Sequence, residues 1–372
     1  MDVGEGLDEL RSEVREADVA MLDALDRRFK LARRIGAAKA ETGRALRDYS
    51  VESDVVSRWR GRLASWGVPP DRSEGLAQWI IEESLRVQEE VLERRPPAPG
   101  TSFDIAIVGG AGAMGVWLGD FLEDGGHRVA VVDPKGAPSG RLALPDVETA
   151  VREAEVVVFA TPIRQTAPLL RKAVAVASDA LILDVLSVKA PLLPILKEAA
   201  KKGRRVSSLH PLFGPTARTL SGRNLLVVSC GVEEADRAAR SFFASSALTI
   251  TDVALDRHDR LMAESLGLSH AVNLLFLATL ASDPLSPHDL ARAASTTFHR
   301  QSSLARALAG EGPDLYLDIQ AMNPHAWGTF DELREALAQL ETLVERHDAA
   351  SFRSLLRAGC AKLEGGVGPP RA

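Results

Sequence analysis

Cysteine is nearly absent. Cys230 and Cys360 are the only two in 372 residues, too few for a disulfide framework or a multi-cysteine metal centre, so a reducing cytoplasmic setting is expected. An excess of basic charge is missing too. Lys and Arg number 45 against 51 Asp and Glu, a net charge of −6, so polyanion binding is not a property of the whole chain. The opening MDVGEGLDEL is acidic and lacks the basic end and apolar core of a secretory signal. The longest apolar stretch, 266–281, contains His270 and Asn273 and falls short of the roughly 20 residues of a bilayer span. It reads as a buried helix in a soluble protein with no membrane partner. Repeats and low-complexity blocks are absent as well. What remains is ordinary globular material, 45% hydrophobic and 26% charged, long enough for two or three domains at roughly 100–200 residues each.

Residues 7 to 94 have helical spacing throughout, with Leu7, Leu10, Val14, Met21, Leu22, Leu25, Phe29, Ala32 and Ile35 at threes and fours. A break at 41–43 and a stop at 67–71 divide this stretch into three helices, the second from about Asp48 to Trp66 and the third from about Arg72 to Arg94. Three helices make a thin core, which favours pairing with a second copy. The proline-rich 95–101 cannot continue a helix and reads as a linker. Short β-branched runs then alternate with helices, at 103–108, 129–133, 156–160, 181–185, 206–209, 225–229 and 248–251. That alternation predicts a parallel, doubly wound sheet. From about Ala254 the pattern is helical, and 365–372 reads as a loose tail.

The run FDIAIVGGAGAMG places Gly110, Gly112 and Gly115 in G-x-G-x-x-G spacing, with Met114 among them, after a strand and at the opening of a helix. In that context the first glycine allows the tight turn, the second lets backbone approach a pyrophosphate, and the third lets helix pack on strand. The second strand ends in Asp133, where a carboxylate can bind the two ribose hydroxyls. NAD is therefore the expected cofactor, with Arg128 and Lys135 beside the acid keeping NADP use open.

Ligands of such sheets bind beyond the carboxyl ends of the strands. Thr161 and Pro162 follow the third strand, Ser187 to Lys189 the fourth, and His210 to Pro215 the fifth. A hydride leaving a carbinol carbon needs the hydroxyl proton accepted, which a neutral histidine does near pH 7. His210 is the candidate, with Ser187 to orient either the imidazole or the hydroxyl.

GGAGAMG, DVLSVK and HPLFGP, followed by HDRLMAESLGLSH and DLYLDIQ, closely resemble the prephenate dehydrogenases of tyrosine biosynthesis over roughly 103–350. The resemblance implies NAD-dependent oxidative decarboxylation of prephenate to 4-hydroxyphenylpyruvate, without a metal. It implies His210 as the hydroxyl acceptor, Ser187 as its partner and His270 in the substrate pocket. A later helix arginine would hold a prephenate carboxylate. Arg306 is preferred and Arg300 is the alternative, because the spacing to DLYLDIQ differs by one residue. Arogenate as substrate stays open, and tyrosine as an effector is common in the family.

In the first domain, Arg28 and Lys39 are eleven residues apart and share a helix face; Asp48 with Glu52, and Ser84 with Gln88, are i,i+4 pairs. Arg11 lies roughly 25 Å from Arg28 along a straight helix, so a partner chain would have to supply it. With IIEESLRVQ and ALRDYSVE, this spacing resembles the all-helical chorismate mutases over 7–92. The resemblance implies rearrangement of chorismate to prephenate. Arg11 and Arg28 would bind the two carboxylates, Lys39 and Gln88 the ether oxygen, and Glu52 the ring hydroxyl, with Asp48 and Ser84 completing the pocket. Val51 stands where the family commonly has arginine.

The expected architecture is multidomain. An all-α chorismate mutase-like domain (1–94) and the linker (95–101) precede an α/β Rossmann-like NAD-binding domain (102–253), an all-α dimerisation domain (254–364) and the tail. Two readings of the helical domain stay open: an active mutase in a bifunctional homodimer, or an inactive dimerisation or regulatory module. A solvated basic face around Arg27, Arg28, Lys30, Arg33 and Arg34 competes with both, and nucleic acid is not expected.

Overall fold

The computed structural model describes residues 3–42, 49–93, 102–138, 140–176, 178–217, 220, 222–244, 246, 248–310 and 312–364. The expected linker, the tail and the candidate Asp48 lie outside the described residues. Helices α1 (Val3–Thr42) and α2 (Tyr49–Ala64) both pack on α3 (Pro70–Glu93). The core between α2 and α3 is small: Val55, Ile81 and Leu85, edged by Val56 and Trp59. At 1.5 Å per residue the 40-residue α1 is about 60 Å long, and its first half leaves Leu7, Leu10, Val14, Met21 and Leu22 exposed. Its second half approaches α3 closely at Gly36, where a Cβ would stand 2.9 Å from the Gln88 Cα.

The central domain runs β1 (Asp104–Val108), α4 (Ala113–Asp124), β2 (Arg128–Val132), β3 (Leu142–Ala143), α5 (Val147–Glu153), β4 (Val156–Phe159), α6 (Ile163–Ala175), β5 (Leu181–Asp184), α7 (Leu193–Lys201), β6 (Ser208–Pro211), β7 (Asn224–Ser229), α8 (Glu233–Ser241) and β8 (Thr249–Ala254). The first five strands form a parallel sheet in the order β3-β2-β1-β4-β5. Helices cover it, so β4 and β5 are buried along their whole length, β4 as an unbroken apolar run and β5 apolar up to its closing Asp184.

The expectation of one parallel sheet needs correction here. Strands β6, β7 and β8 form a second sheet in which β6 runs antiparallel to β7. An isolated bridge between Ile182 and Val206 joins the two sheets. Among the described residues no helix lies between β6 and β7. Without a helical crossover the chain turns back antiparallel.

The third domain consists of α9 (Leu255–Met262), a π-helical turn (Ala263–Gly267), α10 (Leu268–Ala281), α11 (Pro287–Ala293), α12 (Thr296–Gly310), α13 (Pro313–Met322), α14 (Ala326–Glu345) and α15 (Ala349–Glu364). The apolar stretch at 266–281 is not the buried helix its composition predicts, nor is it short. It belongs to a continuous helical run, Leu255–Ala281, of 27 residues, long and apolar enough by length and composition to cross a membrane. The run's first turns, with Leu255, His258, Asp259 and Met262, are buried in the protein. In α10 only Ala271 is buried, and Val272, Leu274 and Leu275 are exposed on the single chain.

Candidate active sites

The glycine turn between β1 and α4 stands at the carboxyl end of the parallel sheet, where sequence reasoning placed it. One detail differs. The positive φ of the tight turn, 86°, belongs to Gly109, while Gly110 is buried. A Cβ on Gly110 would lie 2.7 Å from a Val131 methyl, so this glycine is required by contact rather than by backbone conformation. Gly115 does what its place in the motif implies: its Cβ would fall 2.3 Å from the Gly109 carbonyl oxygen. Gly112 is the N-cap of α4 and offers no side-chain cap. The first N–H groups of α4 therefore face the turn ready for an anion, with Met114 half-buried beside them.

Asp133 follows β2 and clamps the same turn. Its Oδ2 accepts the Ala111 N–H at 3.1 Å and its Oδ1 the Lys135 N–H at 2.9 Å. Arg128 stands at the opposite end of β2, paired with Asp104 through bonds of 2.5 and 2.6 Å. Five residues of strand put it roughly 16 Å from Asp133, so it does not flank the acid in space. Thr161 Oγ1 lies 2.7 Å from Thr166 Oγ1, and the exposed Pro162 is the N-cap of α6.

At the carboxyl end of β6, His210 is 2% exposed and carries the most informative contacts in the chain. Its Nδ1 lies 2.9 Å from His258 Nε2, and His258 Nδ1 lies 2.7 Å from Asp259 Oδ1. Asp259 also accepts the backbone N–H groups of Lys189 at 2.8 Å and Ala190 at 2.6 Å. Lys189, fully buried, donates its Nζ to Asp184 Oδ1 at 2.6 Å and to the Leu209 carbonyl at 2.8 Å. Asn323 Nδ2 donates to the Asp259 carbonyl at 2.7 Å.

Charge follows burial in this network. Burial first, then the fields of His258 and Lys189, push the His210 pKa well below the ordinary histidine value. Burial also lowers His258, against the pull of its bond to Asp259. For Asp259 burial alone would raise the pKa, but the bonds from His258 and the two backbone amides outweigh it and hold the group below the usual carboxylate range.

Sequence reasoning assigned the orienting role to Ser187 and missed His258, Asp259 and Asn323. No hydrogen bond joins the half-buried Ser187 to His210; the Nδ1 partner is His258. A signal was available. Leu255, His258, Asp259 and Met262 fall at threes and fours, so the histidine and the acid share the apolar face of α9. His270, just past the π-helical turn, meets the Tyr316 ring edge-on at 4.6 Å between centroids. Arg300 and Arg306 are both exposed on α12, and no contact joins either to His210.

In the helical domain α3 gathers part of the expected set. Arg28 Nη1 donates to Ser84 Oγ, and Gln88 Nε2 donates to the Ser84 carbonyl at 3.1 Å. Gln88 Oε1 is buried with no hydrogen-bond partner among the described residues. Burial, and then the neighbouring Arg58, lower the Arg28 pKa; Arg58 was not read from the sequence. Lys39 is half-buried one turn beyond Gly36, and Glu52 is half-buried three residues before the core residue Val55. Arg11 is exposed and pairs with Asp8 on its own helix at 3.1 Å, apart from these residues.

A glycine turn at a helix N-terminus, an acid after β2 and a buried histidine at the carboxyl end of β6 define a nucleotide-binding dehydrogenase, here preceded by a helical domain in which Arg28, Ser84 and Gln88 are linked. Three family models match the chain: chorismate mutase type II over 10–89, prephenate dehydrogenase nucleotide-binding domain over 141–239, and prephenate dehydrogenase dimerization domain over 255–358. The 4-amino-4-deoxyprephenate dehydrogenase of Streptomyces pristinaespiralis is 31% identical over 277 residues, 70% of this chain and 90% of that protein. The T-protein of Enterobacter agglomerans is 25% identical over 355 residues, covering 92% and 89%. The structure of prephenate dehydrogenase from A. aeolicus with hydroxyphenyl propionate and NAD+ has a TM-score of 0.59 at 18% identity, covering 72% of this chain and 99% of that one. The chain belongs to the prephenate dehydrogenase family, with a chorismate mutase type II domain ahead of the dehydrogenase.

Proposed function

We infer that this chain is a bifunctional enzyme of tyrosine biosynthesis: it rearranges chorismate to prephenate in its N-terminal helices, then oxidatively decarboxylates prephenate to 4-hydroxyphenylpyruvate with NAD. The observation that carries the reading is the buried His210, tied through Nδ1, in one chain with the Arg28–Ser84–Gln88 cluster.

The glycine turn fits a dinucleotide. Its backbone lies where a Cβ at Gly115 would collide with the Gly109 carbonyl, and α4 is uncapped. The α4 N-terminus would take the diphosphate, and Asp133 the ribose hydroxyls. NAD, when bound, accepts a hydride. As that hydride leaves the carbinol carbon, His210 Nε2 takes the hydroxyl proton. The ring carboxylate then leaves as carbon dioxide, its bonding electrons aromatise the ring, and the proton returns to the phenolate oxygen. No net proton is released. Ser187 orients the hydroxyl, His270 lines the pocket, and Arg306 or Arg300 holds a substrate carboxylate.

The mutase step moves no proton and needs only fixed charges matched to its transition state. Arg28 and the Arg11 of a second copy bind the two carboxylates, Lys39 and Gln88 meet the ether oxygen, and Glu52 meets the ring hydroxyl. The exposed apolar first half of α1 and the bare α10 face support a homodimer.

The test is an assay with chorismate, prephenate, arogenate or 4-amino-4-deoxyprephenate, each with NAD and with NADP. Reduced nicotinamide and 4-hydroxyphenylpyruvate are expected from chorismate and from prephenate with NAD. Turnover of prephenate alone would reduce the helical domain to a dimerisation or effector module, the reading that Val51 favours. No product from either would reject the proposal. Added tyrosine tests feedback in the same assay.

A further inference from the structure

Asp259 accepts three hydrogen bonds, from the backbone N–H groups of Lys189 and Ala190 and from the His258 ring. A carboxylate only accepts, so the proton in the last of these sits on His258 Nδ1. That leaves His258 Nε2 with a lone pair, and the 2.9 Å contact to His210 Nδ1 then requires the proton on His210 Nδ1. Each donor is fixed by the one before it. The chain of assignments ends at His210 Nε2, which carries the ring's lone pair.

We propose that Asp259 and His258 are positioning residues that hold His210 as its Nδ1–H tautomer, so that Nε2 receives the substrate hydroxyl proton, and that they support the imidazolium formed at that moment. Burial, which keeps both imidazoles neutral at rest, agrees with this assignment. The charged and titratable groups around His210 are His258 and Asp259 from α9, and Lys189 with its partner Asp184 from β5 and the turn after it. Lys189 closes the network into a ring. Its backbone N–H holds Asp259, while its Nζ holds the Leu209 carbonyl beside His210. The proton transfer is balanced: the hydroxyl O–H bond breaks, an Nε2–H bond forms, and the same proton later returns to the phenolate.

The proposal rests on the dehydrogenase reading for its chemistry but not for its geometry, so it is tested twice. In protein labelled with 15N-histidine and without substrate, both rings should show the Nδ1–H tautomer. An Nε2–H signal for His210 would overturn the assignment even in an active enzyme. Absence of prephenate turnover by the wild type would instead sink the function and leave the tautomer result standing.

The kinetic arm compares two substitutions. His258→Leu removes the acceptor and should lower kcat for prephenate by about 100-fold, within the range of general-base effects, with KM for prephenate and NAD changed less than about threefold. His258→Gln offers an amide oxygen to His210 Nδ1–H and should restore kcat to within about tenfold of wild type. Equal damage from both variants, or a KM rise that matches the kcat loss, would mean a merely structural contact and overturn the proposal. Asp259→Leu, which takes the acceptor away from His258 Nδ1, should release the assignment and bring in the Nε2–H signal of His210. If that variant does not fold, the two His258 variants decide.

Discussion

Replacing Gly36 by alanine sets two effects of known size against each other. A glycine inside a helix costs about 1 kcal/mol relative to alanine, so relief of that cost favours the variant. Against it, the new Cβ would lie 2.9 Å from the Gln88 Cα and 3.1 Å from both the Gln88 Cβ and its carbonyl oxygen. Carbon atoms pack at about 3.5–4.0 Å, so α1 and α3 must separate by roughly half an ångström or more. None of these three contacts is with the far end of a flexible side chain. Overpacking of this kind costs about 1–3 kcal/mol, which cancels or exceeds the propensity gain. Net stability should therefore change by less than about 2 kcal/mol. Function should not escape, because Gln88, Ser84 and Arg28 are arranged across that same contact. Mutase kcat is expected to fall about 10–100-fold, as misplacement of up to an ångström does elsewhere. Turnover of prephenate, in a separate domain, should hold. Gly61 and Gly75 are the controls: a Cβ at either meets nothing within 4 Å, so alanine should stabilise each by about 0.5–1 kcal/mol. Urea unfolding and the two activities, measured on all three variants, decide the matter. A Gly36→Ala protein with wild-type mutase activity and the same stability gain as the controls would refute the reasoning.

Three other outcomes are expected. Gly115→Ala drives a methyl to 2.3 Å from the Gly109 oxygen and 2.7 Å from the Gly110 Cα; KM for NAD should rise more than about tenfold while chorismate consumption is unchanged, and an unaltered KM contradicts the assignment. His210 acts as a base only when neutral, and burial with the fields of His258 and Lys189 lowers its pKa well below 6.5. The pH profile of kcat/KM for prephenate should thus stay flat from neutral through 6.5 and fall only in more acid solution, so an inflection at or above 6.5 counts against this base. Asp133→Ser removes the carboxylate that would repel a 2′-phosphate; the NAD-to-NADP ratio of kcat/KM should drop, and a constant ratio removes Asp133 from the ribose site.

Local pattern accounts for much of what the sequence made legible. The glycine spacing follows a β-branched run and opens a helix, so Gly112, Gly115 and Asp133 could be placed before any coordinates. The doublet Gly109-Gly110 hid which residue carries the positive φ, because spacing alone does not separate a strained backbone from a crowded one. The direction of β6 was hidden too, since strand pairing is decided by the connection and not by the strand's composition. His258 lies 48 positions from His210. Only the coincidence of a histidine and an acid with the apolar face of α9 marked them, and a reading that treats such a face as plain core passes over it. Arg300 and Arg306 remain exposed on one chain, so their spacing to DLYLDIQ does not choose between them.

The hydrogen bonds around His210 tie the two domains of the dehydrogenase together. The histidine stands on the nucleotide-binding side, as do Lys189, Asp184 and Ala190, while His258, Asp259 and Asn323 come from the helical side. Separated, each half would hold charge or polarity it cannot satisfy. Asp259 would lose two backbone donors, and His210 would lose the acceptor that fixes its tautomer; an uncompensated buried group of that kind is strongly unfavourable. Docking of α9 therefore satisfies the interior and assembles the proposed base in one event. Arg164 on α6, paired with Asp318 on α13, adds a second tie between the same halves. Its Arg164 side is largely exposed, so the pair adds little stability by itself. The buried ring of hydrogen bonds is what makes a competent histidine and a docked domain the same structural state.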